Sequence, residues 1–155
     1  MDFDQLVHAI QSLRSDDAFR ARLDPAQWRC LGGFLTLQQV RAGTVVIRQG
    51  EVDRTAYFLG SGGMQVYIDG AEPGSSRAVM LRPGAIFGEV GLFSAGPRTA
   101  QIETMTPCAL WALRLQRFEE LIQRYPQIAL EVTRAAGSVM AARMRANMKQ
   151  AIAVA

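Results

Sequence analysis

An α+β fold, mainly β, is what this sequence predicts: a small antiparallel β-roll of jelly-roll type, flanked by N-terminal helices and a long C-terminal helix. Three observations carry the expectation. Near the start, Phe3, Leu6, Val7, Ile10 and Leu13 fall at 3- and 4-residue spacings, one apolar helical stripe. From Gly43 to Leu115 the chain changes to short apolar or alternating runs cut by Gly, Pro and Asp, the signature of a sandwich or barrel. After Leu115 the helical period returns. A chain of 155 residues is one domain by size, long enough for a full core. It divides into helices over 1–33, a β-roll over 34–115 and helices over 116–155.

The elements follow in order. Ser15-Asp16-Asp17 stops the first helix and offers a new N-cap, so a second short helix is expected to carry Phe19 and Leu23. Asp24-Pro25 is a cap followed by proline at the first helical position, opening a third short helix with Trp28 and Leu31. Gly32-Gly33 ends it. Strands are expected at Thr44 to Ile47, Ala56 to Leu59, Met64 to Ile68, Ala78 to Leu81, Thr99 to Glu103 and Cys108 to Leu113. A turn falls at Asp69-Gly70 and a polar loop over Ala71 to Ser76. Phe118, Leu121 and Ile122 form one helical face, stopped by Tyr125-Pro126. A long amphipathic helix of about 25 residues then carries Ile128, Leu130, Val132, Val139, Met140, Met144, Met148 and Ile152.

Composition excludes several classes. Apolar residues make up 49 %, too many for general disorder. No apolar run approaches the roughly 20 residues of a membrane span. The acidic start, Met1-Asp2-Phe3-Asp4, has no basic n-region, so no signal peptide is read and the expected location is cytoplasmic. Cys30 and Cys108 have no CxxC spacing and read as small buried hydrophobes. The net charge is +3, and Lys149 is the only lysine among 17 basic residues. From Val132 onward Arg134, Arg143, Arg145 and Lys149 stand without an acid. Four charges lacking interleaved aromatics read as a solvated face rather than a nucleic-acid footprint.

The chemistry concentrates between Phe87 and Ala100, in the run Phe-Gly-Glu-Val-Gly-Leu-Phe-Ser-Ala-Gly-Pro-Arg-Thr-Ala. Glu89 can accept hydrogen bonds from sugar hydroxyls. Arg98 can donate two parallel bonds to a phosphate, which Lys does less specifically. Gly88 and Gly91 lack a Cβ, so backbone N–H groups can approach an anion closely. A ribose bearing one phosphodiester satisfies the whole set. The plain alternative is a mutual Glu89–Arg98 salt bridge with no ligand; exposed pairs of that kind contribute only ~0–1 kcal/mol.

This run resembles the phosphate-binding cassette of cyclic-nucleotide-binding domains, found in the regulatory subunit of protein kinase A, in cyclic-nucleotide-gated channels and in the bacterial catabolite activator family. The similarity extends to Gly43, to Ile47-Arg48-Gln49-Gly50-Glu51, to Tyr57-Phe58-Leu59 with Gly63 to Tyr67, and to the approach from Leu81 to Phe87. It covers roughly Phe34 to Ala142. The resemblance implies a ligand-binding set of Gly88, Glu89, Val90, Gly91, Arg98 and Thr99. Glu89 would hold the ribose 2′-hydroxyl. The amides of a short helix starting near Glu89, the Arg98 guanidinium and the Thr99 N–H would hold the cyclic phosphate. Thr99 is compatible with cyclic AMP and cyclic GMP; the family favours cyclic AMP. The last helix would form a lid over the base through Met140 and Met144, and would pair with a second copy. Its small residues, Ala135, Ala136, Gly137, Ala141 and Ala142, suit close approach, although the heptad pattern is imperfect.

The expected function is therefore a regulatory sensor in signal transduction that relays cyclic-nucleotide occupancy through its C-terminal helix to an effector protein. No catalytic residues, metal or cofactor are expected. His8 is the only histidine and lies away from the glycine-rich turns; no Ser/His or Cys/His couple, multi-histidine metal set or P-loop is present. Two alternatives share the fold: a dimerisation module with no ligand or another ligand, and the sensor part of a catabolite-activator-type regulator without its helix-turn-helix, the one form that would engage DNA.

Overall fold

The computed structural model describes residues 1–68 and 77–154. The Asp69-Gly70 turn, the Ala71–Ser76 loop and the side chains of Lys149 and Ile152 lie outside what it describes. Helix α1 (Phe3–Ser12) opens on a capping box: the Asp2 carboxylate accepts from the Gln5 N–H and the Gln5 side chain accepts from the Asp2 N–H. Asp24 and Gln27 repeat the device at α2 (Pro25–Gly32), with Pro25 in the first turn as expected.

The second short helix does not form. Residues 13–24 join α1 to α2 with a turn at Ser15–Asp17 and no other regular element. Phe19 is buried and meets Phe58 edge-on at 5.1 Å, while the Arg20 guanidinium donates to the carbonyls of Ile10, Gln11 and Leu13. That side chain takes up the orphan carbonyls at the end of α1, and one anchored aromatic outweighs a weak local cap.

Among the described residues eight strands make two antiparallel four-stranded sheets. The first has the order β1 (Thr36–Val40), β8 (Cys108–Arg114), β3 (Thr55–Ser61), β6 (Ile86–Phe87). The second has the order β2 (Val45–Ile47), β7 (Gln101–Thr104), β4 (Met64–Ile68), β5 (Arg77–Leu81). Strands β3 and β8 are buried on both faces, which explains their unbroken apolar sequence. Tyr57, Leu59, Leu110 and Ala112 point between the sheets, against Ile47, Met64, Leu81 and Ile102. Ala56, Phe58, Trp111 and Leu113 point the other way, into a second core with Leu6, Ile10, Trp28 and Leu31 of the N-terminal helices. Strand β1 was not among the expected strands. Its Gln38 and Gln39 break the apolar alternation, and it sits at a sheet edge where one side needs no partner. The strand expected from Thr99 begins instead at Gln101, because Thr99 and Ala100 form a bend.

Three helices complete the molecule: α3 (Val90–Phe93), α4 (Leu115–Arg124) and α5 (Pro126–Val154). Tyr125 caps α4 through its N–H to the Leu121 carbonyl, and Pro126 opens α5. Ile128, Ala129, Val132, Ala135, Ala136 and Val139 bury one face of α5 in the second core. The expected apolar stripe of α5 is only partly right: Leu130, Met144 and Met148 are exposed, as is Ile122 on the expected face of α4. A repeat of four drifts around a 3.6-residue helix, so Met144 and Met148 leave the face that Val139 occupies. Among the described residues no helix is long and apolar enough to cross a membrane. Both cysteines are free; burial raises the Cys108 thiol above its usual range, and it donates weakly to the carbonyls of Gly63 and Thr106.

Candidate functional site

Strand β6 delivers the chain to Gly88, which turns it into α3. Gly88 has φ +69°, and a Cβ there would stand 3.0 Å from the Thr55 carbonyl oxygen. Gly91 is needed for space: a Cβ would meet the Asp53 carbonyl oxygen at 2.6 Å. The two glycines let the cassette lie directly on the segment Asp53–Thr55. Arg54 fastens it from the other end, donating from Nε to the Gly91 carbonyl at 2.8 Å and from Nη2 to that of Leu92.

Arg98 comes back beneath this turn. Its backbone is clamped by Gly50 and Glu51: the Arg98 N–H donates to the Glu51 carbonyl at 2.7 Å, and the Gly50 N–H donates to the Arg98 carbonyl at 2.8 Å. The side chain is 7 % exposed. Nη1 donates to the Gly88 carbonyl at 2.8 Å, and Nη2 donates to the Thr55 carbonyl at 2.6 Å and pairs with Asp53 at 3.2 Å. Nε is buried and has no partner among the described residues. A buried guanidinium N–H without an acceptor is uncommon and directs attention to a missing acceptor. Tyr57 and Phe87 stack at 5.1 Å in the inter-sheet core; burial, then the Asp53 charge, raises the Tyr57 phenol, which stays neutral.

Glu89 is 3 % exposed and precedes α3 without capping it. It does not pair with Arg98. Its Oε1 accepts from Nη1 of Arg143, on α5, at 2.9 Å. The same guanidinium donates from Nε to Asp17 Oδ2 at 3.0 Å and from Nη2 to the Ile86 carbonyl at 2.7 Å. The mutual Glu89–Arg98 pair considered from sequence is thus replaced by two separate ion pairs. An open cleft of about 460 Å³ lies beside Arg143, lined also by Asp16, Asp17, Ala142, Arg145 and Ala146.

The amides expected to meet an anion are fewer than anticipated. The Gly91 N–H bonds the Gly88 carbonyl and the Leu92 N–H bonds that of Glu89, so the turn closes on itself. The amides of Glu89 and Val90 make no hydrogen bond among the described residues. The Val90 side chain is 49 % exposed and Thr99 lies in the open. Of the expected lid, Met140 is half-buried and Met144 is turned to solvent; Arg143 is the α5 side chain that reaches the cassette. Among the described residues no group of three or more His, Cys, Asp or Glu could hold a metal ion.

Comparison with known proteins decides the family. Residues 37–125, more than half of the chain, match the model of the cyclic nucleotide-binding domain. The chain belongs to the cyclic nucleotide-binding domain family. Human potassium/sodium hyperpolarization-activated cyclic nucleotide-gated channel 1 is 31 % identical over 108 residues, which are 70 % of this chain but only 12 % of the channel. Among solved structures, a cyclic nucleotide-binding domain from Methylobacillus flagellatus superposes with a TM-score of 0.84 at 16 % identity, over 99 % of this chain and 84 % of that one. The Thermus thermophilus catabolite activator protein gives 0.74 at 24 % identity, over 86 % of this chain and 61 % of that one. The two sheets, the short cassette helix and the helices on either side are therefore the family's fold.

Four residues that the structure brings against the cassette were not picked out from sequence: Asp17, Asp53, Arg54 and Arg143. Asp53 had a weak local signal, an acid beside Arg54 just before a strand. Asp17 and Arg143 had none, since they meet across 126 positions.

Proposed function

We propose that this domain is a regulatory module that binds a cyclic nucleotide at Gly88–Thr99 and relays its occupancy through α5. In this reading Arg98 and the amides of Glu89 and Val90 take the cyclic phosphate, the Thr99 N–H adds a donor, and Glu89 takes the ribose 2′-hydroxyl. The observation that carries the reading is the pair of buried opposite charges that do not neutralise each other. Arg98 is held rigid by two carbonyls and Asp53 yet keeps an orphan Nε–H, and Glu89 stands across the cassette turn. A phosphodiester beside a ribose supplies an acceptor for the first and a hydroxyl donor for the second. Cyclic AMP is favoured over cyclic GMP on the family's general preference; the exposed Thr99 is compatible with both. Catalysis forms no part of the proposal, and the working location is the cytoplasm.

The transmission step is differential binding: a ligand that fits one arrangement of cassette and α5 better shifts the population toward it. The outward face of α5 supports a second copy as partner. Leu130, Gly137 and Met144 recur every seven residues, with Ala141 and Met148 alongside, and all but half-buried Ala141 are exposed.

Calorimetric titration with cyclic AMP and cyclic GMP tests the assignment. Saturable heat with cyclic AMP, tighter than with cyclic GMP, is expected. No heat from either at millimolar concentration overturns it. Mass spectrometry of any nucleotide carried through purification gives an independent answer.

A further inference from the structure

A single helical turn does not hold itself in water, because fixing its dihedrals costs more than its first hydrogen bond returns. Helix α3 is such a turn, Val90–Phe93, and the chain leaves it extended at Ser94. The carbonyls of Gly91 and Leu92 therefore have no helical N–H ahead of them; the Gly96 N–H turns instead to Ser94 Oγ at 3.3 Å. Arg54 takes both carbonyls. Its Nε donates to that of Gly91 at 2.8 Å, and its Nη2 donates more weakly to that of Leu92 at 3.5 Å. The approach is close: a Cβ on Gly91 would stand 3.1 Å from the Arg54 Cα. Arg54 is half-buried and makes no salt bridge among the described residues, so its guanidinium is given over to these carbonyls. Its backbone is held on both sides. The Thr55 N–H donates to Asp53 Oδ1 at 3.1 Å, and Thr55 opens β3, whose next five residues are buried. The same tripeptide grips the return strand of the cassette, since Asp53 pairs with Arg98 and the Thr55 carbonyl accepts from it.

We propose that Arg54 is a positioning residue for the nucleotide site: it caps the far end of α3 and so keeps the cassette formed before the ligand arrives. The inference rests on the cyclic-nucleotide reading of the cassette and adds to it a residue that touches no ligand atom. Glu89 and the free amides of Glu89 and Val90 stand at the near end of the same turn. Their placement depends on the turn being closed. Once the Arg54 donors are removed, α3 opens in the empty protein and binding has to close it again, the ordering cost that preorganisation avoids. Apparent affinity is the intrinsic affinity multiplied by the fraction of molecules with the cassette formed. A cassette formed in about one molecule in ten would bind roughly tenfold more weakly with every ligand contact unchanged.

Three variants and two readouts test the role. Arg54→Met keeps the stem and removes the donors, and Arg54→Lys keeps a cation without the fork. Arg20→Met is the control: it removes an equivalent cap, on the carbonyls that end α1, which touches nothing in the cassette. Calorimetric titration with cyclic AMP and cyclic GMP should show binding weakened roughly tenfold, about 1.4 kcal/mol, for Arg54→Met, roughly threefold for Arg54→Lys and less than about twofold for Arg20→Met. Without nucleotide, the amides of Gly91, Leu92 and Ser94 should exchange faster in Arg54→Met than in the parent, and saturating nucleotide should restore their protection. If the parent binds and Arg54→Met binds as tightly, the positioning role is refuted and the cyclic-nucleotide reading survives. Unchanged exchange of the three amides refutes it too, as does Arg54→Lys binding no better than Arg54→Met. Arg20→Met binding as weakly as Arg54→Met also refutes it, because general loss of stability would then account for the effect. If the parent binds neither nucleotide, the cyclic-nucleotide reading falls and the positioning role falls with it.

Discussion

Replacing Arg98 by Met keeps most of the stem and removes the guanidinium. In the ligand-free protein this deletes bonds to the Gly88 carbonyl at 2.8 Å and the Thr55 carbonyl at 2.6 Å, and the ion pair to Asp53 at 3.2 Å. Bonds to a charged group are worth ~1.5–3 kcal/mol each, and breaking a buried pair costs about 3–5 kcal/mol in all. Two facts pull toward the lower end. Asp53 is 30 % exposed, so water recovers part of its loss, and the orphan Nε no longer has to be desolvated. A loss of about 3 kcal/mol is the result, equivalent to a fall in Tm of roughly 6–12 °C for a chain of this size. Scanning calorimetry without nucleotide measures it directly, and titration with cyclic AMP should in parallel give no heat. A Tm within about 2 °C of the parent would refute the reasoning, because the carbonyl contacts would then carry almost nothing.

Gly91→Ala drives a Cβ to 2.6 Å from the Asp53 carbonyl oxygen, which is backbone and cannot swing aside. Overpacking of this kind costs ~1–3 kcal/mol, and denaturant unfolding should report it together with weaker nucleotide binding. Glu131 gives a pH prediction. The Arg134 guanidinium, above all, and the Arg22 N–H at 2.6 Å hold its carboxyl at about 2 against an ordinary 4.5. Between those values the unfolded chain binds a proton that the folded chain refuses, so stability falls as pH drops from about 5 toward 2. Glu131→Gln should flatten that limb of the acid-unfolding curve, and an unchanged slope would count against the assignment.

The parts of the fold visible in the sequence are those set by short-range physics. Asp24-Pro25 and Tyr125-Pro126 placed helix ends correctly because a cap and a fixed φ act within a few residues. Strands β3 and β8 were visible because burial on both faces leaves an unbroken apolar run. Edge strand β1 and the irregular course of residues 13–24 were not, since each depends on a distant partner: the Cys108–Ala112 segment for one, Phe58 for the other. The cassette followed the same rule. Gly88, Gly91 and Arg98 stand out within one short segment, whereas the Arg143–Glu89 contact spans 54 positions. Arg143 read as one of four cations on a solvated helix. Arg134 and Arg143 in fact neutralise carboxylates at Glu131, Asp17 and Glu89, which removes much of the apparent basic patch.

Trp28 and Trp111, the only tryptophans, share the core that runs from α1 to Leu92 in α3 and Val139 in α5. Both indole N–H groups are buried without an acceptor among the described residues, and the Trp111 ring meets Phe3 edge-on at 5.7 Å. Such dry rings emit at short wavelength and respond to small changes in packing or water entry. Intrinsic fluorescence is thus a label-free gauge: a nucleotide whose effect stops at Glu89 leaves the emission unchanged, and one that shifts the helical side of the molecule moves it.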